Sequence, residues 1–187
     1  MGFLPKDYQE PESTGGRFFS VKDGENFKIR ILGSFQDGSG IMGYQGWKTD
    51  KDPQTGKEVR RPMSSTEEEK GDLQGKCDAG EKVKFFWALP IYVYGINGGL
   101  KVWRITQKSI RDRITALAKD EDFGDPHTYD LKVSRTGTGM SDTEYHINPL
   151  PPADHPKEVQ DVIDTELIYI KMKALFTGDD PFESVPV

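Results

Sequence analysis

Three places along the chain set an aromatic ring beside a cation. Trp47 precedes Lys48, Phe86 follows Lys84 by two positions, and Trp103 stands between Lys101 and Arg104. Tyr44, Tyr92 and Tyr94 add rings, and Lys28, Arg30, Lys132 and Arg135 add cations. A flat ring is a stacking platform and a cation neutralises a phosphate. Together they suit a polyanion that carries flat bases, held without reading its sequence. Covalent chemistry finds little support. Cys77 is the sole cysteine, which excludes an internal disulfide and a cysteine-rich zinc site. His127, His146 and His155 lack the spacing of a helical metal pair. The acidic group Asp120, Glu121, Asp122 and Asp125 reads as a helix terminator rather than a nuclease metal site. Gly137-Thr138-Gly139 lies in an expected hairpin, so it is a turn and not a phosphate cradle. The expectation is a binding protein with no catalytic residue, no metal and no cofactor.

The elements that must hold these groups are mostly strands. Residues 82–94 alternate, placing Val83, Phe85, Trp87, Leu89, Ile91 and Val93 on a core face. Lys82, Lys84, Phe86, Ala88, Pro90, Tyr92 and Tyr94 occupy the other, which is the expected binding face. Pro90 predicts a bulge or an edge position. Upstream, Lys22-Asp23-Gly24-Glu25 predicts a hairpin between strands at 17–21 and 26–35, followed by a glycine-rich strand at 41–47. Residues 48–81 are polar and charged, and predict a long loop whose Lys48, Lys51, Lys57, Arg60 and Arg61 either clamp a strand or stay solvated. Gly95 to Gly99 turns the chain into a strand at 100–106. Ile110, Ile114 and Leu117 then mark the apolar stripe of a helix over 107–119. Strands at 129–135 and 143–148 follow, then a short helix at 158–163 and an apolar stretch at 167–176. Short strands, glycine-rich turns and one helix ahead of the last two strands describe a mainly β Greek-key barrel. Within that class, the OB fold places one helix between strands 3 and 4.

Domain organisation reads as a loose arm at 1–16, a single domain at 17–176 and an acidic tail at 177–187. Hydrophobic residues make up 34% of the 187-residue chain, low enough to imply that part of it lies outside the core. The net charge of −6 is unevenly spread. Residues 63–81 hold six acids against two lysines, and residues 154–187 hold eight acids against three lysines, which leaves the strand-rich remainder positive. There is no signal segment and no apolar run long enough to span a bilayer, so a soluble, cytoplasmic protein is expected.

Several pieces in order resemble the single-stranded DNA-binding proteins of tailed bacteriophages, of the helix-destabilising replication type. They are Lys84-Phe85-Phe86-Trp87-Ala88, the run from Val102 to Ile110, and Lys119-Asp120-Glu121-Asp122-Phe123-Gly124-Asp125-Pro126. Tyr129-Asp130-Leu131, then Arg135, Gly137 and Gly139, and Thr143-Glu144-Tyr145 complete the match. The resemblance implies an OB fold, sequence-tolerant single-strand binding, and a role in phage replication, recombination or repair inside the host cytoplasm. Some relatives carry a structural zinc, whose ligands this chain lacks, or a basic cooperative arm, where residues 1–16 here hold Lys6 against Asp7, Glu10 and Glu12. Gly178-Asp179-Asp180-Pro181-Phe182 resembles the acidic tip by which bacterial single-strand binders recruit replication enzymes. Asp179, Asp180 and Phe182 are thus the expected recruiting residues, unless the tail merely solubilises the chain and competes with DNA. The other reading is an OB-type protein-interaction module, an accessory or assembly factor whose aromatic face meets a protein partner.

Overall fold

The strand β5 (Lys84–Val93) organises the molecule. The computed structural model describes residues 14–139 and 141–186. On one edge β5 pairs with β6 (Gly99–Ile105) through a tight hairpin, with Gly95 and Gly99 at φ of 113° and 105°, a region that favours glycine. On its other edge β5 changes neighbour. Lys84–Ala88 pair with β3 (Ile41–Lys51), and Ile91–Val93 pair with β2 (Asn26–Ile31), both antiparallel. Pro90 falls between those two stretches, outside both ladders on this edge, where a residue without an N–H is tolerated. Its carbonyl still accepts from the Leu32 amide at 3.0 Å. Gly33 passes so close to the proline ring that any side chain there would collide with it. The sequence signal at Pro90 therefore marks a change of neighbour along one edge.

β2 also pairs with β7 (Asp130–Thr136), and β7 with β8 (Glu144–Pro149). At the far end β1 (Phe18–Phe19) lies parallel to β6. The turn at Lys22–Glu25 forms, with Gly24 at φ 77°, yet its two flanks do not make the expected hairpin, because β1 leaves to join β6. Phe19 is drawn there by Trp103, whose ring it meets edge-on at 5.5 Å. The sheet path runs β1-β6-β5-β2-β7-β8, and among the described residues no pairing joins its ends. The architecture is thus a mainly β, mixed, open eight-stranded sheet, without the closure expected of a barrel. The expected helix is present as α2 (Lys108–Ala118), directly before the last two strands, and buries Ile110, Ile114 and Leu117 as the periodicity requires. No described helix is long and apolar enough to cross a membrane.

Residues 48–81 are not the expected loop. β3 runs on to Lys51 and from Tyr44 onward pairs with β4 (Glu58–Ser65), and α1 (Lys70–Lys76) follows. The alternation that betrays a strand is faint here, since this hairpin projects into solvent and has few apolar residues to reveal its period. It is anchored where Leu73 is buried and where Asp78 accepts from the Thr49 amide at 2.9 Å and the Thr49 hydroxyl at 2.7 Å.

One sheet face is covered and the other is covered in part. One buries Ile29, Ile31, Leu89, Ile91, Trp103 and Leu131 beneath α2. The other buries Phe86, Ala88, Leu100 and Val102 beneath the C-terminal region, which contributes Met172, Leu175, Phe182 and Val185. That region contains α3 (Lys157–Thr165), a 3-10 turn at Leu167–Tyr169, and α4 (Ala174–Thr177). The tail expected from residue 177 onward is in fact part of this second core. Each large side chain removed from water there contributes about 1.5–3 kcal/mol, which explains why the acidic end folds back. The expected arm at 1–16 lies, apart from its last three residues, outside the described residues.

Candidate nucleic-acid interface

The expected binding face of β5 is divided in two by the C-terminal region. In the covered half, Phe86 is completely buried, with the Phe176 ring 6.5 Å away and the Arg104 guanidinium 5.1 Å from its own ring. Trp103 points into the opposite core. Neither can stack on a base in this arrangement, which corrects the expectation for both. Alternation along β6 does not settle the face of Trp103, since Leu100 and Val102 share one face with Arg104 while Ile105 shares the other, and the burial of Phe86 depends on chain almost ninety positions downstream. Arg104 is half-buried, donates from Nη1 to the Gln45 side chain at 3.3 Å, and has its guanidinium made less basic by desolvation.

The other half is open. Tyr92 and Tyr94 are half-exposed, and their rings meet edge-to-face at 5.1 Å. The neighbouring strand sets the Lys28 ammonium 4.2 Å from the centre of the Tyr94 ring, and Lys28 pairs across the ladder with exposed Lys132 on β7. These four residues, from three strands, form one patch of rings and cations. Arg30, on the same face, does not join it. Only 1% exposed, it donates from Nε to Asp130 Oδ1 at 2.5 Å and from Nη1 to the carbonyls of His127 and Ala153. Asp130 also pairs with Lys28 at 2.9 Å and accepts from the Tyr94 hydroxyl at 3.0 Å. Burial pushes its carboxyl up, but the hydrogen bonds from Arg30, Lys28 and Tyr94 outweigh this and hold it below the ordinary range. Tyr94 shifts upward, by burial first and by its bond to Asp130 second.

A second group lies on the β3–β4 hairpin. Trp47 is half-buried, with the Arg60 guanidinium 5.0 Å from its ring centre. Tyr44 packs on Phe85 at 5.4 Å under the Lys70 ammonium. Lys48 pairs across the ladder with Arg61. The hairpin cations have acidic neighbours: Lys48 with Asp50 at 3.4 Å, Arg60 with Glu81 at 2.7 Å, and Arg61 with Asp52 at 3.7 Å. Exposed pairs of this kind contribute roughly 0–1 kcal/mol, so a phosphate can replace the acid at little cost. Arg60 and Arg61, expected as clamp cations of a loop, stand instead on a paired strand, and Lys70 on α1 is a cation that the sequence did not single out. Arg60 and Arg61 face Thr49 and Lys48 across the ladder, a placement that becomes visible only once the hairpin register is known.

The remaining candidates scatter. Lys84 is exposed at the start of β5, and Lys101 is half-buried on β6. Arg135 is structural, donating to the Val21 carbonyl at 3.4 Å and the Thr143 hydroxyl at 3.3 Å. Asp179 and Asp180 are exposed, but Phe182 is buried and meets the Phe18 ring edge-on at 6.3 Å, so the expected recruiting motif does not present its phenylalanine. The two aspartates instead border a groove of about 630 Å³ whose other wall includes Lys48, Arg61 and Arg104. Asp120 caps the turn after α2, accepting from the amides of Asp122 and Phe123, as a helix terminator does.

No family model matches the chain, and no curated protein or solved structure matches it significantly.

Proposed function

We propose that this protein binds single-stranded DNA without sequence preference, coating exposed strands during phage replication, recombination and repair. The observation that carries this reading is the open patch of Tyr92, Tyr94, Lys28 and Lys132, where two rings and two cations adjoin on three paired strands. Bases stack on the tyrosines while the lysines take the phosphates, and the hairpin cations with Trp47 extend the path. Stacking supplies about 1–3 kcal/mol per base, with no dependence on base identity. The sheet is best regarded as an open variant of the OB plan, with its helix kept before the last two strands and a hairpin added after the third. The phage-type motifs of β5, β6 and α2 support the same assignment. The protein acts by binding, and no step of its function is catalytic.

Fluorescence anisotropy with labelled poly-dT and with duplex DNA, across a salt series, tests the proposal. Binding should be confined to the single strand and should weaken steeply with salt, the logarithmic slope being about −0.7 for each phosphate neutralised. No binding at low salt would overturn it and leave the aromatic patch as a protein-contact surface.

A further inference from the structure

Two buried donors without acceptors lie in the walls of two cavities that share one residue. The first cavity, about 270 Å³, sits between β5, α2 and the segment joining β2 to β3. Ile31, Phe35, Met42, Leu89 and Ile114 make it almost wholly apolar, and Trp87 completes its wall. The Trp87 Nε1–H is buried and has no hydrogen-bond partner. The second cavity, about 580 Å³, is lined by Arg30, Thr128, His155 and the exposed Asp154. Arg30 Nη2 is likewise buried and unpartnered, although Nε and Nη1 of the same guanidinium are fully used. His127 belongs to both walls and is held in place by donating from Nε2 to the Gly33 carbonyl at 3.0 Å.

Native interiors rarely leave such donors unsatisfied, and each costs free energy until an acceptor arrives. The two demands differ. The apolar cavity calls for a flat body with one acceptor at its edge. The polar cavity calls for an oxygen acceptor, best an anionic one, because its unused donor belongs to a guanidinium and the one carboxylate in its lining, Asp154, is exposed at the surface. We propose that the paired cavities form one nucleotide site. A base enters the apolar cavity and accepts from Trp87 Nε1–H, while its phosphate accepts from Arg30 Nη2 beside Thr128 and His155. Met42, 44% exposed, lines the first cavity, and His155, tied by one bond to the His127 carbonyl at 3.2 Å, lines the second; uncovering the two donors requires lining side chains such as these to shift. The site rests on the single-strand reading for its ligand class and adjoins the tyrosine patch through Asp130, yet it has its own readout.

That readout is the Trp87 indole N–H resonance, assigned with Trp87→Phe and followed by NMR with dTMP, thymidine and inorganic phosphate. dTMP should move the Trp87 signal and the His155 ring signals together, thymidine the first alone, and phosphate the second alone. Trp87→Phe should weaken dTMP about tenfold, the equivalent of one hydrogen bond, and His155→Ala should weaken phosphate without altering thymidine. A Trp87 signal unmoved at saturating dTMP would overturn the site even if poly-dT binds. Poly-dT failing while dTMP still moves both signals would instead remove the strand-coating reading and keep the site. Oligothymidylate with and without a 5′-phosphate separates a strand terminus from a free nucleotide as the source of the ligand.

Discussion

Arg30 is a cation turned inward. Alternation along β2 places it beside Lys28, and nothing local distinguishes the two. Lys28 stays 41% exposed over Tyr94, whereas Arg30 is enclosed by Asp130 and the carbonyls of His127 and Ala153. Asp130→Asn would leave that buried guanidinium without its counter-charge, a loss of about 3–5 kcal/mol that urea denaturation would measure. The pH dependence has a definite sign. A carboxyl held below its unfolded value of about 3.9 contributes stability at higher pH, and that contribution is lost as pH falls through the folded value. Denaturation midpoints measured from pH 6 downward should therefore fall below about pH 4 in the wild type, and less so in Asp130→Asn. The rings separate in the same way. Tyr94→Ala should weaken poly-dT binding by about 1–3 kcal/mol in an anisotropy titration. Phe86→Ala should instead cost about 3–5 kcal/mol of stability, seen as a lower Tm. Tyr94→Ala with unchanged affinity would count against the open patch as the stacking surface.

At the scale of elements, the β3–β4 hairpin and the C-terminal region act oppositely on the same sheet. The hairpin extends cations beyond the core, and its surface pairs are weak enough to exchange with phosphates. Replacing Arg60 and Arg61 together with alanine should reduce the salt slope of DNA binding by about 0.7 for each lost phosphate contact, with little change in Tm. An unchanged slope would place the strand elsewhere. The C-terminal region covers apolar surface. Phe182→Ala should lower stability by about 3–5 kcal/mol, each kcal/mol shifting Tm by about 2–4 °C for a chain of this size. A calorimetric Tm equal to the wild type would show that the acidic end is held only loosely. These contrasts also explain what local pattern could show. α2 was legible because Ile110, Ile114 and Leu117 repeat at the helical period against one core. The hairpin was not, since a strand pair with both faces near water shows little period to read.

Across the whole molecule, what the sequence by itself determined is local and periodic. The β5–β6 hairpin with its glycines, α2, the β7–β8 pair and the predominance of strands all follow from side-chain alternation and from residues that only turns tolerate. The types of group present, rings beside cations, were equally legible. Tertiary structure alone decided which of those groups meet water. Phe86, Trp103, Arg30 and Phe182 are buried, whereas Tyr92, Trp47 and Lys28 keep part of their surface in water. The physical reason is that exposure depends on what arrives from far away. The C-terminal region crosses half of one sheet face because Met172, Leu175, Phe182 and Val185 leave water there, and β1 joins β6 because Phe19 meets Trp103. Periodicity assigns a side chain to a face of its own strand, and only long-range packing determines whether that face is covered.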